Sequence, residues 1–170
     1  MISDTQVSVP NPVMRNAIAD YLKVDDTFEL MGVGFETLDE NPNAQSTQKI
    51  YINQATATNF ITSYQTEFPY SADMIASEKA IMALYECGRD HLTGADAMFE
   101  YVRVDLFSPV AEQPNVYKAR KFIVTNEVSG NTGSGGNPVN LAGTLKSVGD
   151  PVLGTFSTTD KEFTPDGAAA

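Results

Sequence analysis

The chain carries one imidazole, His91, and one thiol, Cys87. Nucleophilic catalysis by serine or cysteine needs a base beside the nucleophile, so any such site would have to rest on His91. That residue sits in Gly88-Arg89-Asp90-His91-Leu92-Thr93-Gly94, a polar stretch following a helical segment, where a lone histidine is expected at the surface. Asp90, His91 and Asp96 could be drawn together as a metal or hydrolase centre. Two carboxylates and one imidazole within seven residues, however, match no spacing with a defined coordination geometry. The acidic pairs Asp25-Asp26 and Asp39-Glu40 are adjacent in sequence, so in an extended chain they diverge and cannot flank one substrate as glycosidase carboxylates must. The glycine-rich run Gly130–Pro138 is followed by no Lys-Ser/Thr and leads into strand-like sequence, which reads as a long turn and not a phosphate cradle. Phe60, Tyr64, Phe68, Phe99, Tyr101 and Phe107 could stack single-stranded bases, but only Lys118, Arg120 and Lys121 concentrate positive charge, so these aromatics are read as core. No catalytic, cofactor-binding or metal-ligating residue is predicted, and Cys87 is read as an inert helix residue.

Composition agrees with that absence. A chain of 170 residues suits one domain, with roughly two-thirds of its extended surface buried on folding. Twenty-two acids against 11 bases give a net charge of −11 and a pI near 4.3. Such a balance disfavours a surface that grips phosphate, yet it suits a wall that DNA must pass without sticking. One cysteine excludes an intrachain disulfide. The first residues lack the basic and apolar regions of a secretory signal, and no run of about 18 apolar residues occurs, so a soluble protein with no membrane partner is expected.

The elements that would have to position functional groups are mostly strands. Residues 1–10 read as a polar arm. Asn11-Pro12 then looks like a helix start, and Met14, Ile18, Tyr21 and Leu22 recur at helical spacing up to Asp25-Asp26. Strand-like runs follow over Phe28–Leu38 and Thr47–Asn53, separated by Asp39-Glu40-Asn41-Pro42-Asn43-Ala44-Gln45, which has the composition of an exposed hairpin tip or insertion. Phe60, Thr62, Tyr64, Thr66 and Phe68 alternate as one face of a half-buried strand. Ser77–Gly88 has a capping serine, good helix formers and a terminal glycine suited to the left-handed position, with Ala80, Ile81, Leu84 and Tyr85 as its apolar stripe. Met98–Phe107 and Tyr117–Val128 read as a hairpin over Ser108–Asn115, and Val139–Val148 and Val152–Ser157 as two shorter strands. About seven strands and two helices predict a mainly β fold, a β-sandwich or barrel-like domain with one or two short flanking helices.

The segment from Ala76 to Gly88, followed by Phe99-Glu100-Tyr101-Val102-Arg103-Val104-Asp105, resembles the tail tube proteins of long-tailed phages of the siphophage type. There a capped Lys-Ala-Ile…Tyr…Gly helix leads into a strand ending in Arg-Val-Asp. Leu141–Phe156 resembles that family's closing hairpin, with Lys161–Phe163 and a Thr-Pro ending after it. The likeness covers residues 76–163 and does not extend to residues 1–60. It implies a single tail-tube domain over 1–170 with an N-terminal arm (1–10) and a flexible C-terminal tail (164–170). It further implies six copies to a ring, and rings stacked into a virion tail tube that conducts DNA without binding it. Tape measure protein and tail terminator or tip proteins are the implied partners, and the host cytoplasm the implied place of assembly. Asp39, Glu40, Asn41, Pro42, Asn43, Ala44 and Gln45 become candidate ring-to-ring contacts, together with the arm and the tail. Two other readings of the same residues are an inner tube of a contractile tail or secretion system, and a small-ligand or carbohydrate-binding β-domain.

Overall fold

The computed structural model describes residues 10–167; the expected arm, apart from Pro10, and Ala168–Ala170 lie outside them. A three-residue 3-10 turn, Arg15–Ala17, leads into strand β1 (Ile18–Val24). Asp25 and Asp26 follow with φ of 50° and 62°. Two successive left-handed residues make the tight turn whose twist matches a hairpin, and they join β1 to β2 (Thr27–Leu30). The helix expected from Asn11 to Leu22 is therefore corrected to a short turn and a strand. The reason is tertiary. β1 lies between β2 and the long strand β7 (Met98–Pro109), and Asp20, Tyr21 and Leu22 are all buried because both faces of the sheet are covered there. Continuous burial removes the alternation that marks a strand in sequence.

The remaining strands are β3 (Phe35–Leu38), β4 (Ala44–Lys49), β5 (Thr58–Tyr64), β6 (Glu67–Asp73), β8 (Val116–Thr132), β9 (Asn140–Ser147), β10 (Val152–Ser157) and β11 (Glu162–Pro165). Nine of the eleven form one antiparallel sheet in the order β2-β1-β7-β8-β9-β6-β3, with β10 and β11 branching from β8. The branch is possible because β8 is 17 residues long. One edge pairs with β7, while the other pairs first with β10 and then with β9. The result is a curled antiparallel half-barrel with one α-helix, so the expected mainly β class holds. Thr164 and Pro165, placed in the C-terminal tail by the sequence, pair with Thr155 and Gly154 in β11. The glycine-rich run forms the end of β8 and its turn into β9.

Helix α1 (Lys79–Arg89) lies on the sheet through Ala80, Ile81, Leu84 and Cys87, with Tyr85 packed beside them. Its termini differ from the expected ones: Glu78, not Ser77, precedes the first turn, and it makes no side-chain cap. Gly88 is still helical, and the left-handed residue is His91, with φ of 53°. Gly88 serves packing instead: a Cβ there would lie 2.7 Å from Val128 Cγ2, so only glycine lets the helix approach β8 so closely. A buried polar link holds the same junction. Tyr70 donates to Asn126 Oδ1 at 2.7 Å, and Asn126 donates to the Leu84 carbonyl at 3.1 Å.

The core has two parts, one on each face of the central strands. Leu22, Phe68, Tyr101, Phe122 and Leu145 pack under α1, and Tyr21, Phe28, Val102, Val104 and Phe156 pack on the other face. Each large side chain so buried contributes about 1.5–3 kcal/mol. Among the aromatics read as core, Phe68 and Tyr101 are fully buried and Phe99 partly so. Phe60, Tyr64 and Phe107 are exposed, which corrects that reading.

Candidate assembly surface

The single half-buried strand expected over Phe60–Phe68 is broken at Gln65-Thr66 into β5 and β6. β6 enters the sheet and buries Phe68, whereas β5 pairs only with β4, as a separate two-stranded ribbon. Neither strand packs extensively on another element of the chain. Every residue of β4 is exposed, and in β5 only Thr58 is partly covered. Ile50, Tyr51, Ile52, Phe60, Ile61 and Tyr64 consequently lie on the surface, with Ile52 as accessible as in an extended peptide (109%). An isolated hairpin is marginal in water, so a ribbon displaying six large apolar side chains is a surface that needs covering.

The ribbon is nevertheless anchored. At its base Asn41 and Glu67 exchange backbone hydrogen bonds at 2.8 and 2.9 Å. Asn43, with φ of 48°, donates through Nδ2 to the Gln65 carbonyl. Glu40 turns inward and accepts both terminal nitrogens of Arg120, at 2.6 and 2.9 Å, with Arg103 Nε 3.5 Å away. Arg103 continues the network to Asp20, which also accepts from Tyr101 and from Arg15 at 2.6 Å. Arg15 in turn donates to the Leu38 carbonyl at 3.0 Å, two residues before Glu40. Burial pushes the Glu40 carboxyl up, but the hydrogen bonds and charge of Arg120, with Arg103 behind it, outweigh burial and leave its pKa below the ordinary value.

The predicted contact residues thus lie together, at the root of the ribbon. Asp39 is exposed and its N–H donates to the Pro69 carbonyl, Glu40 belongs to the buried network, and Ala44 and Gln45 open β4 opposite Tyr64 and Ser63. The strand expected over Thr47–Asn53 is corrected: β4 ends at Lys49, so the tip of the hairpin is residues 50–57 and Asp39–Gln45, read as a tip or insertion, is its root. The tip's signal was present: from Asn41 to Thr66 the only charge is Lys49, in a chain of net −11, and Ile50-Tyr51-Ile52 is an apolar run inside that stretch.

Asp90 pairs with Arg89 at 2.9 Å, and His91 lies exposed after α1. Among the described residues no group of three or more His, Cys, Asp or Glu converges as metal ligands. Among the same residues no helix is long and apolar enough to cross a membrane.

No protein-family model matches the sequence, and no curated protein matches it. Solved structures do share its fold. A chain in the tail of an empty gene transfer agent particle, refined helically with C6 symmetry, superposes with a TM-score of 0.57 at 10% identity, covering 84% of this chain and 98% of that one. A chain of the native gene transfer agent virion gives 0.60 at 9% identity, covering 84% and 98%. A chain of the six-fold symmetrised anti-feeding prophage baseplate gives 0.53 at 6% identity, covering 85% and 97%. At such identities the likeness establishes a shared fold alone, one that occurs in chains of gene transfer agent particles and of the anti-feeding prophage baseplate.

Proposed function

We propose that the chain is a structural subunit, without enzymatic activity, that polymerises as stacked hexameric rings into a tail tube through which DNA passes. The observation that carries this reading is the anchored hairpin, whose exposed apolar residues have no cover among the described residues of their own chain. The shared fold with chains of C6 and six-fold tail assemblies supports it. So does the acidic balance, which would deny DNA the counterion-release attraction that holds it to basic surfaces. In this reading the short strands β2 and β3, which end the main path of the sheet among the described residues, offer their outer edges for lateral pairing around a ring. The hairpin, with Asp39–Gln45 at its root, reaches to the next ring.

The likeness to a baseplate chain of the anti-feeding prophage equally favours an inner tube surrounded by a sheath. Copolymerisation with a sheath protein distinguishes that setting from a bare siphophage-type tail. Tape measure and terminator or tip proteins would engage the tube in either case. Negative-stain electron microscopy of the purified chain should show six-fold rings or tubes. A chain that stays strictly monomeric at high concentration, alone and with its virion components, refutes the proposal.

A further inference from the structure

We infer that the Ile50–Ile52 tip of one copy docks into the groove between α1 and the β1–β2 turn of a second copy, with Lys49 facing the acids on that groove's rim. The inference rests on the tube reading and names the two surfaces that would meet. The apolar side chains Met82, Leu92 and Met98 line part of the groove, and Leu92 and Met98 are 41% and 39% exposed. Its rim carries Asp25, Glu86 and Asp96, none of which has an ion-pair partner among the described residues. The lysines on the same rim are occupied, Lys23 with Glu100 at 2.9 Å and Lys79 with Glu29 at 3.7 Å.

Lys49 is likewise without a partner among the described residues and is the single charge of the ribbon. The two surfaces are therefore complementary in charge as well as apolar character. Six residues of extended strand carry the tip roughly 20 Å from its root, far enough to leave its own subunit. The tip is shaped before docking: Gln54 N–H donates to the Tyr51 carbonyl and Thr58 Oγ1 donates to Gln54 Oε1, both at 3.0 Å. When each copy gives its tip to one neighbour and receives the tip of another, the contact is heterologous and generates a ring or an open polymer; a reciprocal exchange between two copies would instead stop at a dimer. The groove beside Leu153 carries both signs, Lys118 and Arg120 with Asp105 and Asp166, and so offers Lys49 a smaller excess of acid.

Paired cysteines test the geometry. In a Cys87→Ala background, because the native thiol lines the same groove, Ile52→Cys/Leu92→Cys oxidised under assembling conditions should give a covalent ladder extending beyond dimers, while each single variant and Ile52→Cys/Leu153→Cys should give none. Lys49→Glu should raise the critical concentration for assembly about tenfold, and Lys49→Glu/Glu86→Lys should restore it. Tubes of the double-cysteine variant without a ladder, a ladder with Leu153, or dimers from Ile52→Cys alone would each overturn the docking while leaving the tube reading intact. Failure of the charge swap to restore assembly would do the same. Failure of the unmodified chain to assemble overturns both.

Discussion

Replacing Glu40 by glutamine should loosen the hairpin without unfolding the sheet. The carboxylate is 20% exposed and its partner Arg120 30%, so the pair lies between two regimes. A solvent-exposed ion pair contributes about 0–1 kcal/mol, and breaking a fully buried one costs about 3–5 kcal/mol. Two short hydrogen bonds, at 2.6 and 2.9 Å, and the nearby Arg103 place this pair near the middle, at about 2 kcal/mol for Glu40→Gln. A domain stability of about 5–15 kcal/mol survives that loss. Urea unfolding of unassembled protein, in a double-mutant cycle with Arg120→Met, should return a coupling of about 1 kcal/mol or more. Hydrogen exchange should accelerate over Ala44–Tyr64 and stay unchanged in β7 and β8. The pH dependence has a definite sign. Because the folded pKa lies below the ordinary carboxylate value of 4.5, the stabilisation is fully present above that pH and is lost as pH falls through the folded value. A coupling near zero, or unchanged exchange in the hairpin, would refute the anchoring role.

Asp20→Ala should be costlier, about 3 kcal/mol, since it takes the acceptor from the buried Tyr101 hydroxyl and leaves Arg103, whose side chain is 6% exposed, with Glu40 alone as counter-charge; chemical denaturation measures it. Gly88→Ala should destabilise despite alanine's better helix propensity, by about 1–2 kcal/mol net, because the new methyl meets both the Cβ and a methyl of Val128 within 2.8 Å; thermal unfolding checks the direction. Cys87, 3% exposed, should resist thiol reagents in the folded chain and react in urea. Ile52→Ser should leave monomer stability within about 0.5 kcal/mol, as at other exposed sites, yet impair assembly in sedimentation.

Where a segment has a single environment along its length, its local pattern identified it. Helix α1 is of this kind, since the stripe of Ala80, Ile81 and Leu84 follows the helical period, whereas β7 and β8 were legible as long runs rich in β-branched and aromatic residues on either side of a turn. β1 was misread because both faces of the central sheet are covered, so Asp20, Tyr21 and Leu22 carry no period-two signal. Phe60 and Tyr64 were misread for the opposite reason: period two marks a strand but does not say whether its apolar face meets a core or awaits another surface. Likewise, adjacent acids looked equivalent at Asp39 and Glu40, yet only the fold brings Arg103 and Arg120 from β7 and β8 against the second. Sequence alone thus determined the β character, the helix and the acidity. Only long-range pairing, which brings residues some 80 positions apart into contact, decided which acid is an anchor and which apolar residues are left facing outward.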